Sequence, residues 1–190
     1  MNRAAVFQWL SLLFVWVVAS AAAQDGRKMP LSQTFASPEC HVRFNYPADW
    51  DVVAGLNCRF RIQQSKSKKI DEIATEGITI SVSDGPLDKA AQKAGFALRD
   101  GKWMFRGERE VTADPIKIGR YKGLMVDDFP CRIYDKNGYV GMGDCAAAIV
   151  GSSRRAASFY ANPESMELLP RIVQSFRFDY VRGLAIAPQR

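Results

Sequence analysis

An even set of cysteines, Cys40, Cys58, Cys131 and Cys145, behind an apolar amino-terminal run restricts the fold more than any other feature of the 190-residue chain. Arg3 is the only charge in the first 23 residues, Ala4 to Ala19 is apolar apart from Gln8 and Ser11, and Ser20 leads into Ala21-Ala22-Ala23. A positive start, an apolar centre and a small-residue end describe a secretory signal peptide, with cleavage expected before Gln24. An uncleaved anchor is the rival reading, since about 20 apolar residues can span a bilayer. The alanine end and the polar Gln8 and Ser11 favour cleavage, and no cysteine stands at the leader's end to accept a lipid. The expected location is therefore periplasmic or secreted, an oxidising setting in which four cysteines form two disulfides by default. Three connectivities exist. Cys40 with Cys58 and Cys131 with Cys145 is preferred, because the first pair flanks Pro47 to Gly55 and the second flanks Asp135-Lys136-Asn137-Gly138. Each closes a loop of about 15 to 20 residues, stabilising by about 3 kcal/mol if the effect is chain entropy.

The same cysteines argue against other chemistry. Zinc sites favour C-x-x-C pairs, which are absent here. Cys40-His41 resembles a nucleophile beside its base, but such partners meet in space and seldom in sequence, so a disulfide cysteine beside a surface histidine is the better reading. His41 is the only histidine, which removes much of the usual catalytic vocabulary. No metal and no cofactor are expected. Hydrophobic residues at 47% and charged residues at 24% exclude a disordered or multi-span chain. The net charge of +6 biases partners toward acidic surfaces without implying nucleic acid.

Period-two alternation then marks strands. Val42, Phe44 and Tyr46 alternate with polar residues up to Pro47, and Cys58, Phe60 and Ile62 do the same, so these two strands are expected to be antiparallel neighbours. Ile78, Ile80 and Val82 form a third strand, followed by a short helix from Leu87 to Lys93 with Gly95 as its stop. Asp100-Gly101 is a strong hairpin signal that sets Leu98 opposite Trp103 and Phe96 opposite Phe105, a face expected to be core or half-buried. Further strands are expected at Pro115 to Ile118, Leu124 to Val126, Cys131 to Tyr134, Cys145 to Val150 and Ala156 to Ala161. After Asn162-Pro163, Met166, Leu169, Ile172, Val173 and Phe176 have helical spacing that Pro170 kinks or splits. The fold class is α+β: a central, mostly antiparallel sheet, a short helix after the third strand, and a C-terminal helix packed on the sheet. The chain divides into a leader (1–23), a flexible lead-in (24–38), one domain (39–181) and a tail (182–190).

Phe44-Asn45-Tyr46-Pro47-Ala48-Asp49-Trp50 and Ile172-Val173-Gln174-Ser175-Phe176-Arg177-Phe178 together resemble the fold shared by the photosystem extrinsic subunit PsbP and the Ran-binding Mog protein. The resemblance implies an α+β sandwich on an antiparallel sheet and a binding or accessory role, with no catalytic set to carry over. The two disulfides depart from that pattern.

Few constellations carry chemistry. Asp135, Asn137, Gly138 and Asp144 approach a calcium-loop register, but Ile133 occupies its first position and Asp144 its last, where glutamate is needed. Asp127-Asp128 is an acid pair whose side chains should diverge if the segment is a strand. Gly141, Gly143 and Gly151 suggest bulges. Arg154 and Arg155 after Gly151-Ser152-Ser153, and the run Lys66, Lys68 and Lys69, are candidate contacts to a partner or an anion. The expected function is an exported, non-enzymatic binding or inhibitor-type protein acting through a protein surface in the envelope or periplasm. The alternatives are an envelope accessory protein held to anionic polymer and a secreted hydrolase using carboxylates such as Asp127 or Asp144.

Overall fold

The computed structural model describes residues 29–65, 77–135 and 138–179. The leader, the tail from residue 182 and the Lys66, Lys68, Lys69 run lie outside the described residues. In chain order, β1 (Gln33–Ser37) turns into β2 (Val42–Tyr46), and Pro47 leads to β3 (Trp50–Ala54), β4 (Arg59–Gln64) and β5 (Ile78–Asp84). Helix α1 (Leu87–Lys93) precedes β6 (Phe96–Arg99), β7 (Lys102–Arg106) and β8 (Glu110–Thr112). Then come β9 (Asp114–Ile118), the long β10 (Tyr121–Asp135) and β11 (Gly138–Gly151), and β12 (Arg155–Ala161). A 3-10 turn (Pro163–Leu168), α2 (Leu169–Ser175) and β13 (Arg177–Phe178) close the described chain.

Seven strands form the main sheet in the order β3-β4-β5-β12-β11-β10-β9, flanked by three-stranded sheets β1-β2-β13 and β6-β7-β8. The strand pairings are antiparallel. Each face of the main sheet has its own core. One gathers Phe44, Phe60, Ile80, Phe159, Ile172 and Phe176 beneath α2 and the β1-β2-β13 sheet. The other gathers Ala91, Phe96, Phe105, Phe129 and Ile149 beneath α1 and the β6-β7-β8 sheet. Because both faces are covered, β11 loses its alternation: Cys145-Ala146-Ala147-Ala148-Ile149-Val150 is buried throughout. The three alanines let both layers approach β11.

The two motifs of the resemblance meet in space. The Asn45 N–H donates to Ser175 Oγ at 2.9 Å, the Ser175 hydroxyl donates to the Ile172 carbonyl at 2.8 Å, and Phe44 stacks on Phe176 with ring centroids 6.4 Å apart. Trp50 is buried, and its backbone N–H donates to the Pro47 carbonyl at 3.2 Å.

Several local expectations match the fold, and several are corrected by it. The hairpin pairs Leu98 with Trp103 and Phe96 with Phe105. Its turn residues Asp100 and Gly101 both have positive φ, 49° and 77°, as the two-residue primed turn requires. Pro170 falls in the first turn of α2 and divides the C-terminal stretch into a 3-10 turn and a short helix, so that Leu169, Ile172 and Val173 are buried. The strands at Val42 and Cys58 are not neighbours: β2 pairs with β1 and β13, whereas β4 pairs with β3 and β5. A covalent link, not a ladder, connects the two regions at Cys40–Cys58. His41 lies in the turn before β2, at φ 49°. Part of the segment read as a lead-in is β1, because Phe35 packs on Phe44 at 5.1 Å and on Phe60 at 5.2 Å and so joins two sheets. A single apolar ring in Gln33–Ser37 is too faint a signal for a strand without its neighbour.

Candidate functional site

β10 and β11 outrun their neighbours. β9 pairs only with Tyr121 to Met125 of β10, and β12 only with Ala146 to Gly151 of β11. Beyond a register shift between Val126 and Phe129, the two strands continue as a two-stranded ribbon from Phe129↔Cys145 to Asp135↔Gly138. Cys131–Cys145 cross-links its root, with Cα atoms 5.9 Å apart. The Tyr160 hydroxyl donates to Cys145 Sγ at 3.1 Å, and the Tyr160 ring meets Phe129 edge-on. Burial raises the Tyr160 pKa above its ordinary value.

The ribbon carries apolar side chains into solvent. Tyr134 and Tyr139 oppose each other with ring centroids 5.8 Å apart, and Tyr134, Tyr139, Val140 and Met142 are 47%, 58%, 61% and 53% exposed. Arg132, paired with Met142 across the ribbon and two residues from Tyr134, shares their face. Its guanidinium forms an ion pair with Glu108 at 2.8 Å; the Tyr134 hydroxyl and then Glu108 raise its pKa. The opposite face is structural: a Cβ on Gly143 would lie 2.5 Å from Ile133 Cδ1 and 3.0 Å from Pro163 Cγ. Gly143 is thus a close-approach position, as is Gly151, whose Cβ would lie 2.7 Å from the Arg155 carbonyl. The irregularities of the ladder fall between Val126 and Phe129 and between Ile133 and Tyr134; the second borders Gly141, so of the three glycines expected at bulges only Gly141 stands at one.

A cleft of about 660 Å³ opens on the second face of the main sheet, where neither α1 nor the β6-β7-β8 sheet covers β9 and β10. Leu87, Trp103, Pro115 and Leu124 line it with apolar groups, and Arg120, Lys122, Ser152 and Ser153 bring polar ones. The Arg120 guanidinium donates to the Tyr121 hydroxyl and lies over its ring at 5.4 Å.

The residues singled out from sequence do not assemble into one site. All four cysteines are in disulfides, in the preferred pairing, so Cys40 offers His41 no thiol. Arg155 is half-buried, forms an ion pair with Asp84 at 3.0 Å and lies over the Phe178 ring. Arg154 is exposed, and its backbone N–H donates to Ser152 Oγ at 3.2 Å. Asp127 and Asp128 lie at the register shift, and they and Asp144 are exposed. Among the described residues no group of three or more His, Cys, Asp or Glu could hold a metal ion. No described helix is long and apolar enough to cross a membrane. Sequence reading missed Tyr134, Tyr139 and Met142. Their signal was the position of both tyrosines beside the Asp135 to Gly138 turn, within a ribbon whose apolar residues do not keep to one face.

No family model and no curated protein matches the sequence. Solved structures to which the chain is similar include a protein from Bacteroides thetaiotaomicron VPI-5482, with a TM-score of 0.46 and 14% identity over 81% of this chain. The chain spans 50% of that protein's length. Cyanobacterial PsbP (CyanoP) from Synechocystis sp. PCC 6803 has a TM-score of 0.38 and 11% identity, over 77% of this chain and 91% of its own. The Saccharomyces cerevisiae Ran-binding protein Mog1p has a TM-score of 0.41 and 10% identity, over 77% of this chain and 94% of its own.

Proposed function

We propose that the protein is an exported, non-enzymatic binding or inhibitor-type protein of the envelope or periplasm that holds a protein partner through the ribbon formed by β10 and β11. One observation carries the reading: Tyr134, Tyr139, Val140 and Met142 stand exposed on a ribbon whose root is cross-linked by Cys131–Cys145. Tyrosine, methionine and arginine are the residue types enriched at protein interfaces, and a rigid aromatic anchor loses little conformational entropy on binding. Two disulfides suit an oxidising compartment. Arg154, Arg155, Lys66, Lys68 and Lys69 are proposed as accessory contacts to acidic groups of the partner or to anionic polymer. Of the two arginines, exposed Arg154 is the better placed, because Arg155 is held by Asp84.

The test is affinity capture from envelope extract with the oxidised, exported protein and with its Tyr134→Ser/Tyr139→Ser variant. A stoichiometric partner retained by the first and lost by the second, with unchanged thermal unfolding, is the expected result. A partner held equally by both would move the interface elsewhere, and capture of nothing would remove the reading.

A further inference from the structure

We propose that the cleft between α1 and β7 is a second binding site, for a small amphiphilic anion: an apolar chain or ring bearing one carboxylate. Its volume, about 660 Å³, lies within the range of small-molecule pockets. Trp103, half-buried, lines the cleft together with Leu87 and Leu124, so the interior suits an apolar body. The charges decide what the body must carry. Lys117 on β9 stands directly opposite Lys122 on β10, and both are exposed. Like charges opposed across an antiparallel pair repel and destabilise it. Neither lysine forms an ion pair among the described residues. Lys122 and Arg120 line the cleft, Lys117 stands beside it across the ladder from Lys122, and Asp88 is the one acid in the lining. A carboxylate lying across the two lysines would relieve their repulsion, and its tail would lie along Trp103. Asp88, on the α1 wall, disfavours a second negative charge and so selects a monoanion over a polyanion. The residues of this site are not those of the ribbon, so the two proposals can fail separately.

Dodecanoate below its micellar concentration is the probe, titrated into the exported, oxidised protein. Binding is read by calorimetry and by Trp103 fluorescence, with Trp50, 4% exposed, as the invariant background. One molecule should bind and shift Trp103 emission. Dodecyltrimethylammonium, with the same tail and the opposite charge, and acetate, with the charge and no tail, should each bind at least about tenfold more weakly. Lys117→Gln/Lys122→Gln should lose about tenfold or more in dodecanoate affinity and much of its salt dependence. Its urea midpoint should not fall, because a repulsive pair is removed. Equal binding of the cationic surfactant, undiminished binding by the double variant, or no binding of dodecanoate would each overturn the proposal.

Discussion

Replacing Cys131 and Cys145 together by alanine should destabilise the protein by about 4 kcal/mol. The bridge spans a sequence separation of 14 residues, and the chain-entropy relation for a loop of that size gives about 3 kcal/mol. Both sulfurs are also packed: Cys131 is 5% and Cys145 1% exposed, so truncation to alanine opens small voids and deprives the Tyr160 hydroxyl of its sulfur partner, adding about 1 kcal/mol. Single domains have only about 5–15 kcal/mol in total. The Cys40–Cys58 bridge, with a separation of 18, gives nearly the same entropy term, but its structural consequence differs. It joins two sheets that share no strand pairing, whereas Cys131–Cys145 joins strands already laddered together. Loss of the second should therefore also loosen the ribbon locally. Urea unfolding followed by circular dichroism gives the free energy, and native-state hydrogen exchange reads the amides of Phe129 to Tyr134 and Tyr139 to Cys145. A loss below about 1 kcal/mol with an unchanged urea slope, or unaltered exchange in the ribbon, would refute the reasoning.

Phe176→Ala removes a ring with no exposure that touches Phe44, Phe159 and Phe178, and should cost about 3–5 kcal/mol in urea unfolding. Gly123→Ala should cost about 1–3 kcal/mol by the same assay, because its Cβ would run into the Ile149 carbonyl and crowd Val150 and Ile116. Burial raises the Tyr160 pKa, so the folded state keeps this proton more tightly than the unfolded chain. That contribution is fully present below the ordinary tyrosine value of about 10 and is lost as pH rises through the folded value. Ultraviolet titration should show a late phenol that Tyr160→Phe abolishes.

Much of the local structure was legible because it rests on contacts close in sequence. Alternation at Val42 to Tyr46, Phe60 to Ile62 and Ile78 to Val82 marks strands whatever they pair with, and Asp100-Gly101 adopts positive φ wherever a two-residue hairpin forms. The turn inside each loop made one of the three cysteine pairings preferable, and that pairing forms. The candidate site was not legible in the same way. Its cleft draws Leu87, Trp103, Leu124 and Ser152 from elements far apart in the chain, and the apolar residues beside it read as ordinary core.

What the sequence determined by itself is most of the strands, the two helical stretches and a preferred pairing of the cysteines, since periodicity, turn chemistry and the separation between cysteines are properties of short stretches. Which strands lie side by side was decided only in three dimensions. Alternation tells each strand which face to bury but not against which neighbour, so β2 left β4 for β1 and β13, while β5 joined β12 through residues about 77 positions away, as Ser158 and Ser81 show. The exposure of Tyr134 and Tyr139 has the same origin: β9 and β12 stop short of them, and the end of β10 and the start of β11 have no further strand to cover them.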